Sequence, residues 1–194
     1  MPNLRDLVVR NRSYRRFDES HRISHQELVE LVELARCTAS ATNRQPLKYF
    51  LSSDPDTNDR IFPCLFWAAF LQDWKGPAPG ERPAAYIVVL IDETLTKDWW
   101  CDDGIALQTM LLGAVEKGLG GCMIGAIDKD KLRQELAIPE HLKIRLVLAL
   151  GKPAEKVVLE ELKPGGDTRY WRDEEGVHHV PKRGLEELIV SDRK

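Results

Sequence analysis

The 194-residue sequence lacks the short motifs that mark common nucleotide, hydrolytic and zinc sites. It has no Gly-x-x-x-x-Gly-Lys-Ser/Thr loop, no Gly-x-Gly-x-x-Gly segment after a strand, no Gly-x-Ser-x-Gly turn and no His-Glu-x-x-His pair. The sequence therefore gives no support to a P-loop enzyme, an α/β-hydrolase or a zinc protease. The sequence shows no recognisable protein-borne nucleophile.

The sequence also lacks a large excess of charge of one sign and a long apolar run. Its 28 Lys and Arg against 31 Asp and Glu give a net charge of -3, which does not favour nucleic acid or an anionic membrane as a partner. The longest apolar stretch, residues 84–91, is far shorter than the ~20 residues that span a bilayer. No charged-then-apolar leader is present, and we expect a cytoplasmic protein.

Metal motifs are missing as well. The four cysteines are widely spaced, without a Cys-x-x-Cys pair: Cys37, Cys64, Cys101 and Cys122. This spacing predicts buried free thiols in a reducing compartment. His178 and His179 are neighbours, which point to opposite faces in a strand, so we expect no metal there.

What the sequence does have is a clear alternation of helical and strand patterns, and its length predicts one domain over residues 1–194. Asn3, Ser24 and Asp128 each precede an amphipathic segment and are predicted helix N-caps. A long apolar helix is predicted over residues 102–117, ending at Gly118. Strands are predicted over residues 47–52, 84–91 and 144–150.

Two segments are predicted to lie outside this framework. The glycines of residues 120–127 favour a connection. The strand predicted over residues 144–150 is expected to stop at "GKP", residues 151–153. Residues 154–194 are polar and interrupted by Gly and Pro, apart from a short amphipathic helix near Leu185. We expect this tail to wrap a partner subunit; a mobile terminus is the alternative.

The aromatic residues concentrate in one segment that closes on a Pro/Gly-rich turn. They are Phe62, Phe66, Trp67, Phe70 and Trp74. A core cluster and an exposed lid or partner surface are equally compatible with this pattern.

Residues 8–20, "VVRNRSYRRFDES", carry four arginines in a protein of slightly acidic composition. Arg12, Ser13 and Arg15 combine forked guanidinium donors with a hydroxyl, which suits a phosphate group. A solvated basic turn is the alternative for this segment taken alone.

Two further segments suit a flat heterocycle. In "ASATNRQP", residues 39–46, small residues allow close approach, and Ser40, Asn43 and Gln45 offer mixed donors and acceptors. In "GLGGCMIGAI", residues 118–127, glycines would expose backbone N–H groups beside apolar Met123 and Ile124.

In this order, "NRSYRRF", "ASATNRQP", "GLGGCMIG", "LALGKP" and "PKRGLEELI" resemble the motifs of the FMN-dependent nitroreductase family over nearly the whole chain. The resemblance implies an α+β fold with a mostly antiparallel central sheet flanked by helices. It implies an intertwined homodimer with two flavin sites at the interface. It also implies an FMN-dependent NAD(P)H oxidoreductase that reduces nitroaromatic, quinone or similar electron-poor acceptors by a ping-pong mechanism.

The resemblance assigns site residues by position. Arg12, Ser13 and Arg15 would hold the FMN phosphate and the pyrimidine side of the flavin, and Lys182 and Arg183 would return to the phosphate. Arg15 would also stabilise the reduced flavin. No side chain is expected to be catalytic in its own right.

The remaining assignments concern the flavin ring. Ser40, Asn43 and Gln45 would contact it from the neighbouring subunit. Backbone groups near three residues would approach its N5 edge: Ile124, Gly125 and Ala126. The aromatic segment from Phe62 to Trp74, together with Trp99 and Trp100, lies where relatives vary the cover over the flavin, so these aromatic residues are expected to shape acceptor choice.

Two positions depart from the family pattern: Asn11 stands where an arginine is usual, and Ala39 replaces a proline. Two alternatives stay open. One is a flavin-dependent reductive dehalogenase type of enzyme, a reaction that the same resemblance includes. The other is a non-enzymatic flavin-binding protein, which Asn11 favours. NADH and NADPH are equally possible co-substrates.

Overall fold

The computed structural model describes residues 2–191. It contains six α-helices: α1 (Leu4–Arg10), α2 (His25–Arg36), α3 (Pro55–Ile61), α4 (Asp102–Glu116), α5 (Lys129–Leu136) and α6 (Leu185–Leu188). It contains eight strands: β1 (Phe17–Asp18), β2 (Leu47–Ser52), β3 (Ala85–Asp92), β4 (Gly120–Ile124), β5 (Leu142–Pro153), β6 (Val157–Glu161), β7 (Trp171–Arg172) and β8 (His178–Lys182).

The helix termini follow from local side-chain chemistry. Asn3 and Ser24 each form a capping box, in which the cap side chain and the side chain three residues later satisfy each other's backbone N–H groups. The Asp128 side chain accepts from the backbone of Lys131 and starts α5. The residue after the C-cap of α4, Gly118, has φ of 76°, which glycine adopts without strain. These predicted helix boundaries are confirmed.

The central sheet has five strands, and all of its pairings are antiparallel. β5 is the longest strand and pairs with β3 and β4, while β2 extends the sheet beyond β3 and the short β1 pairs with the end of β5. The strand predictions for β2 and β3 are confirmed to within one residue.

Both faces of the sheet are buried, which explains the continuous apolar sequences of β3 and β5. Ile87, Val89 and Leu148 point to one face, where they pack against α2 and α4. Tyr86 and Val147 point to the other face, where α3 and α5 cover them. Helices therefore cover both sides of an antiparallel sheet, which is the α+β architecture that the resemblance implied.

The prediction that residues 120–127 form a connection is wrong, because residues 120–124 form the buried strand β4. The glycines are required by packing. A Cβ on Gly120 would lie 2.5 Å from the Tyr14 ring, and one on Gly121 would lie 2.5 Å from the Ala149 carbonyl oxygen. The predicted end of the strand over residues 144–150 at residues 151–153 is also wrong, since β5 continues to Pro153.

The polar tail has more structure than its composition predicts. β6 and β8 pair in parallel, and β7 pairs antiparallel with β8, to form a separate three-stranded sheet. Within it, His178 is only 1% exposed. The predicted terminal helix is confirmed as the short α6, and its apolar residues Leu185 and Leu188 are 71% and 61% exposed.

The aromatic segment divides between core and surface. Trp67 is 8% exposed and packs in the core, whereas Phe66 and Phe70 are 62% and 55% exposed. Trp74 lies edge-on to Trp67 with 6.5 Å between ring centroids. The segment is therefore neither entirely a core cluster nor entirely an exposed surface, the two interpretations that the sequence allowed.

Candidate active site

The arginine-rich segment is held beside the central sheet by backbone hydrogen bonds. Ser13 forms an isolated bridge with Gly121, and the backbone N–H of Tyr14 donates to the Gly121 carbonyl oxygen at 3.0 Å. β4 therefore determines where Arg12, Ser13 and Arg15 lie. The segment follows directly after α1 and is extended.

Glu155 ties the same segment to the C-terminal tail. One oxygen of its carboxylate accepts from the backbone N–H groups of Arg15 and Arg16, the latter at 3.2 Å. The other oxygen accepts from Nη2 of Arg172 at 2.8 Å. The Glu155 and Arg172 side chains are 2% and 11% exposed, and both oxygens of the buried carboxylate accept from donors of the protein itself.

A cavity of about 370 Å³ lies between the segment, α4, β4 and the tail. We call it the arginine crevice. Its lining residues are Asn11, Arg12, Ser13, Arg15, Gln108, Leu111, Met123, Tyr170, His178, Val180 and Lys182. Three cations from the two ends of the chain therefore face one space: Arg12, Arg15 and Lys182.

These three cations have no carboxylate partner within the described residues. No Asp or Glu oxygen of residues 2–191 lies within 4.0 Å of their side-chain nitrogens. Nη2 of Arg12 donates to the Val8 carbonyl oxygen at 2.7 Å, and partial burial lowers the pKa of Arg12. Within the same part of the chain, Nε of Arg12 and Oδ1 of Asn11 are buried without a hydrogen-bond partner. The crevice thus presents positive charge and unused polar atoms to an occupant.

Three neutral groups surround the side chain of Arg15. Its Nη1 lies 3.2 Å from the Ser13 carbonyl oxygen and 3.3 Å from Nε2 of His178. Its guanidinium carbon lies 4.7 Å from the centroid of the Tyr170 ring. Burial, followed by the charges of Arg15 and Arg172, lowers the pKa of His178 to about 4.

Residues 40–46 form the loop that carries the predicted flavin contacts Ser40, Asn43 and Gln45. The Ser40 hydroxyl donates to Oδ2 of Asp102 at 2.6 Å and accepts from the Gln45 backbone at 2.9 Å. Thr42, Asn43 and Gln45 have φ of 50°, 54° and 49°, which is strained for residues other than glycine. Asp102, only 3% exposed, therefore anchors the strained loop to the start of α4.

A separate cavity of about 250 Å³, the loop crevice, is lined by Ser40 and Gln45 together with residues of α2, β2 and α4. Asn43 is exposed and accepts from Nε2 of Gln45 at 3.1 Å. In one subunit, the loop residues and the arginine crevice are therefore not brought together.

The other predicted site residues are dispersed in one subunit. Ile124 is buried at the end of β4, and Gly125 and Ala126 follow it on the surface. Lys182 lines the arginine crevice, whereas Arg183 pairs with Glu187 at 2.7 Å.

Sequence reasoning missed Glu155, Tyr170 and His178 as members of the site. His178 and His179 do point to opposite sides of β8: His178 contacts Arg15, and His179 contacts Glu160 and Asp173. No sequence pattern reveals the Glu155 and Tyr170 contacts, which join residues from distant parts of the chain. Residues 2–191 contain no group of three or more His, Cys, Asp or Glu side chains placed to bind a metal ion.

The arginine crevice presents three cations beside a central antiparallel sheet, an arrangement that suits a small anionic ligand. The chain belongs to the nitroreductase family, because the family model described as "Nitroreductase family" matches residues 8–152. Within the described residues, no helix has both the length and the apolar character that crossing a membrane requires.

Curated relatives agree with this assignment, and a solved structure shares the fold. A protein of Archaeoglobus fulgidus, provisionally named NADH dehydrogenase/NAD(P)H nitroreductase, is 25% identical over 158 residues, covering 77% of this chain and 85% of its own. FMN reductase (NADPH) of Bacillus subtilis is 24% identical over 168 residues, covering 79% and 67%. A provisionally named nitroreductase of Exiguobacterium sibiricum, solved in complex with FMN, aligns with a TM-score of 0.65 at 18% identity, covering 80% and 90%.

Proposed function

We propose that this protein is an FMN-dependent NAD(P)H oxidoreductase that reduces nitroaromatic, quinone or similar electron-poor acceptors. The observation that carries the proposal is the convergence of Arg12, Arg15 and Lys182 on one crevice without carboxylate partners among the described residues. Membership of the nitroreductase family supports it, as do relatives named for NAD(P)H and FMN chemistry.

The residues of the arginine crevice fit a phosphorylated flavin. Guanidinium groups and a hydroxyl are the donors that a phosphate dianion prefers, and the unpartnered Nε of Arg12 adds a further donor. Apolar Leu111 and Met123 line the same space and suit a flat ring. Asn11 does not remove the charge of the crevice, because Lys182 supplies a third cation there.

Each residue would have a defined task with the cofactor in place. Arg12, Ser13 and Lys182 would hold the phosphate, and Arg15 would place uncompensated positive charge beside the bound flavin. FMN, when bound, accepts a hydride from a reduced nicotinamide and delivers electrons to an acceptor. No protein nucleophile is required for this chemistry, in agreement with the motifs that the sequence lacks.

We propose that the nicotinamide and the acceptor bind in turn at the same place, which gives ping-pong kinetics. The chain itself would orient both substrates and exclude water. Exposed Phe70 is placed to shape the acceptor end of such a site, since its ring centroid lies 5.1 Å from that of Tyr170, which lines the arginine crevice.

The functional unit is proposed to be an intertwined homodimer, with the tail of residues 154–194 wrapping the partner; residues 192–194 of this tail lie outside the described part of the chain. Exposed apolar side chains support this proposal at both ends of the chain: Leu4 is 67% exposed on α1, and Leu185 and Val190 are 71% and 99% exposed near α6. A second subunit could also bring its Ser40, Asn43 and Gln45 to the flavin. Sedimentation should give twice the 22.1 kDa chain mass; a monomer at micromolar concentration would contradict the dimer.

The proposed activity is tested by loading the purified protein with FMN and following the flavin absorbance without oxygen. NADH or NADPH should bleach the bound flavin, and a quinone or nitroaromatic should then restore its colour. If neither NADH nor NADPH bleaches the bound flavin, the proposal is contradicted. Comparing the bleaching rates with the two nicotinamides would also identify the preferred one.

A further inference from the structure

Arg15 differs from the neighbouring Arg16 and Arg172 in the charge of its partners. Arg16 lies 3.4 Å from the Glu81 carboxylate, and Arg172 lies 2.8 Å from that of Glu155. The guanidinium of Arg15 contacts a backbone carbonyl oxygen, an imidazole and an aromatic ring. Each of these partners orients the group, and none brings a negative charge.

Glu155 is the carboxylate that could have neutralised Arg15, but its oxygens are already used. One accepts from the backbone N–H groups of Arg15 and Arg16, and the other accepts from Arg172. The carboxylate therefore fixes the backbone at Arg15, while the side chain of Arg15 turns to His178.

His178 can accept from Arg15 only as a neutral imidazole. It is 1% exposed and packs against Tyr170, with 5.1 Å between ring centroids. Arg15 and Arg172 are the neighbouring guanidinium groups, and their charges oppose its protonation. Because arginine only donates, Nε2 accepts and the ring proton is on Nδ1.

We propose that His178 is a positioning residue that orients the Arg15 guanidinium in the arginine crevice while leaving its positive charge available to bound FMN. A carboxylate at this place would orient Arg15 equally well but would cancel its charge. The neutral imidazole orients Arg15 without cancelling its charge. The inference rests on the proposed function, because it takes FMN as the occupant.

The test compares two variants of nearly equal shape, His178→Gln and His178→Glu, which differ in charge. FMN is titrated into each cofactor-free protein, and its fluorescence quenching gives the dissociation constant. We expect H178Q to bind within about threefold of the wild type, because its amide oxygen still accepts from Arg15. We expect H178E to bind at least about tenfold more weakly than H178Q, because Arg15 is then paired.

A purely structural role for His178 predicts the opposite order. The new carboxylate would meet both Arg15 and Arg172, so H178E should then fold and bind FMN as well as H178Q or better. Equal affinities of the two variants would overturn the inference. Wild-type protein that does not bind FMN would instead contradict the proposed function.

A third variant serves if H178E does not fold, as judged by its melting curve. His178→Phe keeps a ring against Tyr170 but removes the acceptor for Arg15. H178F should bind FMN several-fold more weakly than H178Q at equal melting temperature. Equal affinities of H178F and H178Q would show that Arg15 needs no acceptor there, and would overturn the inference.

Discussion

The Glu155 carboxylate accepts from Nη2 of Arg172 at 2.8 Å, with both side chains nearly buried. The same carboxylate holds the backbone of Arg15 and Arg16, so one side chain joins the N-terminal arginine segment to the C-terminal tail. The position of the arginine crevice depends on this junction.

Glu155→Gln should therefore destabilise the protein strongly. The amide replaces one acceptor oxygen with a donor that faces N–H groups, and it leaves Arg172 as a buried uncompensated charge. Removing one partner of a buried ion pair costs about 3 kcal/mol or more in the free energy of unfolding. Urea denaturation of the variant and the wild type measures this loss.

Glu93→Gln is the matched control. Glu93 pairs with Lys143 at 3.4 Å, and its side chain is 37% exposed. The same chemical change should cost less than about 1 kcal/mol there. Equal losses for the two variants would contradict the assigned role of Glu155.

Ser40→Ala should loosen the loop at residues 40–46. The variant loses the hydrogen bond to buried Asp102 and the one from the Gln45 backbone, and the strained φ values of the loop lose their support. We expect a loss of about 1 to 2 kcal/mol in unfolding free energy. Ser20→Ala removes an exposed hydrogen bond to Asp18 and should change stability by less than about 0.5 kcal/mol. A Ser40→Ala variant as stable as Ser20→Ala would show that the loop does not depend on this hydroxyl.

Gly121→Ala and Gly104→Ala should have opposite effects. A Cβ at Gly121 would lie 2.5 Å from a backbone carbonyl oxygen, so β4 must shift, at a cost of about 2 kcal/mol or more. A Cβ at Gly104, inside α4, meets nothing within 4 Å and should stabilise the helix by about 0.5 to 1 kcal/mol. Melting temperatures that move in the same direction would be inconsistent with this packing.

Stability should fall as the pH decreases from 6.5 towards 4. His178 has a pKa of about 4 in the folded protein, against 6.5 for an ordinary histidine, so the unfolded chain binds a proton that the folded chain excludes. His179 acts in the opposite sense, because hydrogen bonds to Asp173 and Glu160 raise its pKa. The stabilisation that His179 provides is fully present below its ordinary pKa, and it is lost as the pH rises through the raised pKa of the folded protein.

His178→Gln isolates the contribution of His178 to the pH dependence of stability, because the wild type and H178Q share all other titrating groups. Between pH 6.5 and 4.5, the wild type should lose about 2 kcal/mol more unfolding free energy than H178Q. Urea denaturation at the two pH values measures the difference. Parallel losses would mean that His178 is protonated in the folded protein at pH 4.5.

The elements predicted well from the sequence are those with local causes. Ser24 and Glu27 satisfy each other's backbone groups, and Gly118 supplies the left-handed residue after α4. Both signals lie within a few residues of the boundary that they determine. The apolar runs of β3 and β5 were recognisable for the same reason, since burial on both faces requires continuous apolar sequence.

The errors concern features determined by distant contacts. Gly120 and Gly121 resemble turn residues in sequence, but Tyr14 and Ala149 require their small size inside a strand. His178 belongs to the site because β8 brings it to Arg15. No local pattern could have predicted either contact. The convergence of Lys182 with Arg12 and Arg15 was predicted through the family resemblance and not through spacing.

The most direct test of the account is an FMN titration of wild-type protein, Arg15→Ala and Arg22→Ala, followed by flavin fluorescence. Arg22 is exposed and lies outside the arginine crevice, so it controls for the loss of one positive charge. We expect the wild type and R22A to bind one FMN per chain equally well, and R15A to bind at least about tenfold more weakly. A wild type that does not bind FMN, or an R15A variant that binds it as tightly as R22A, would contradict the account.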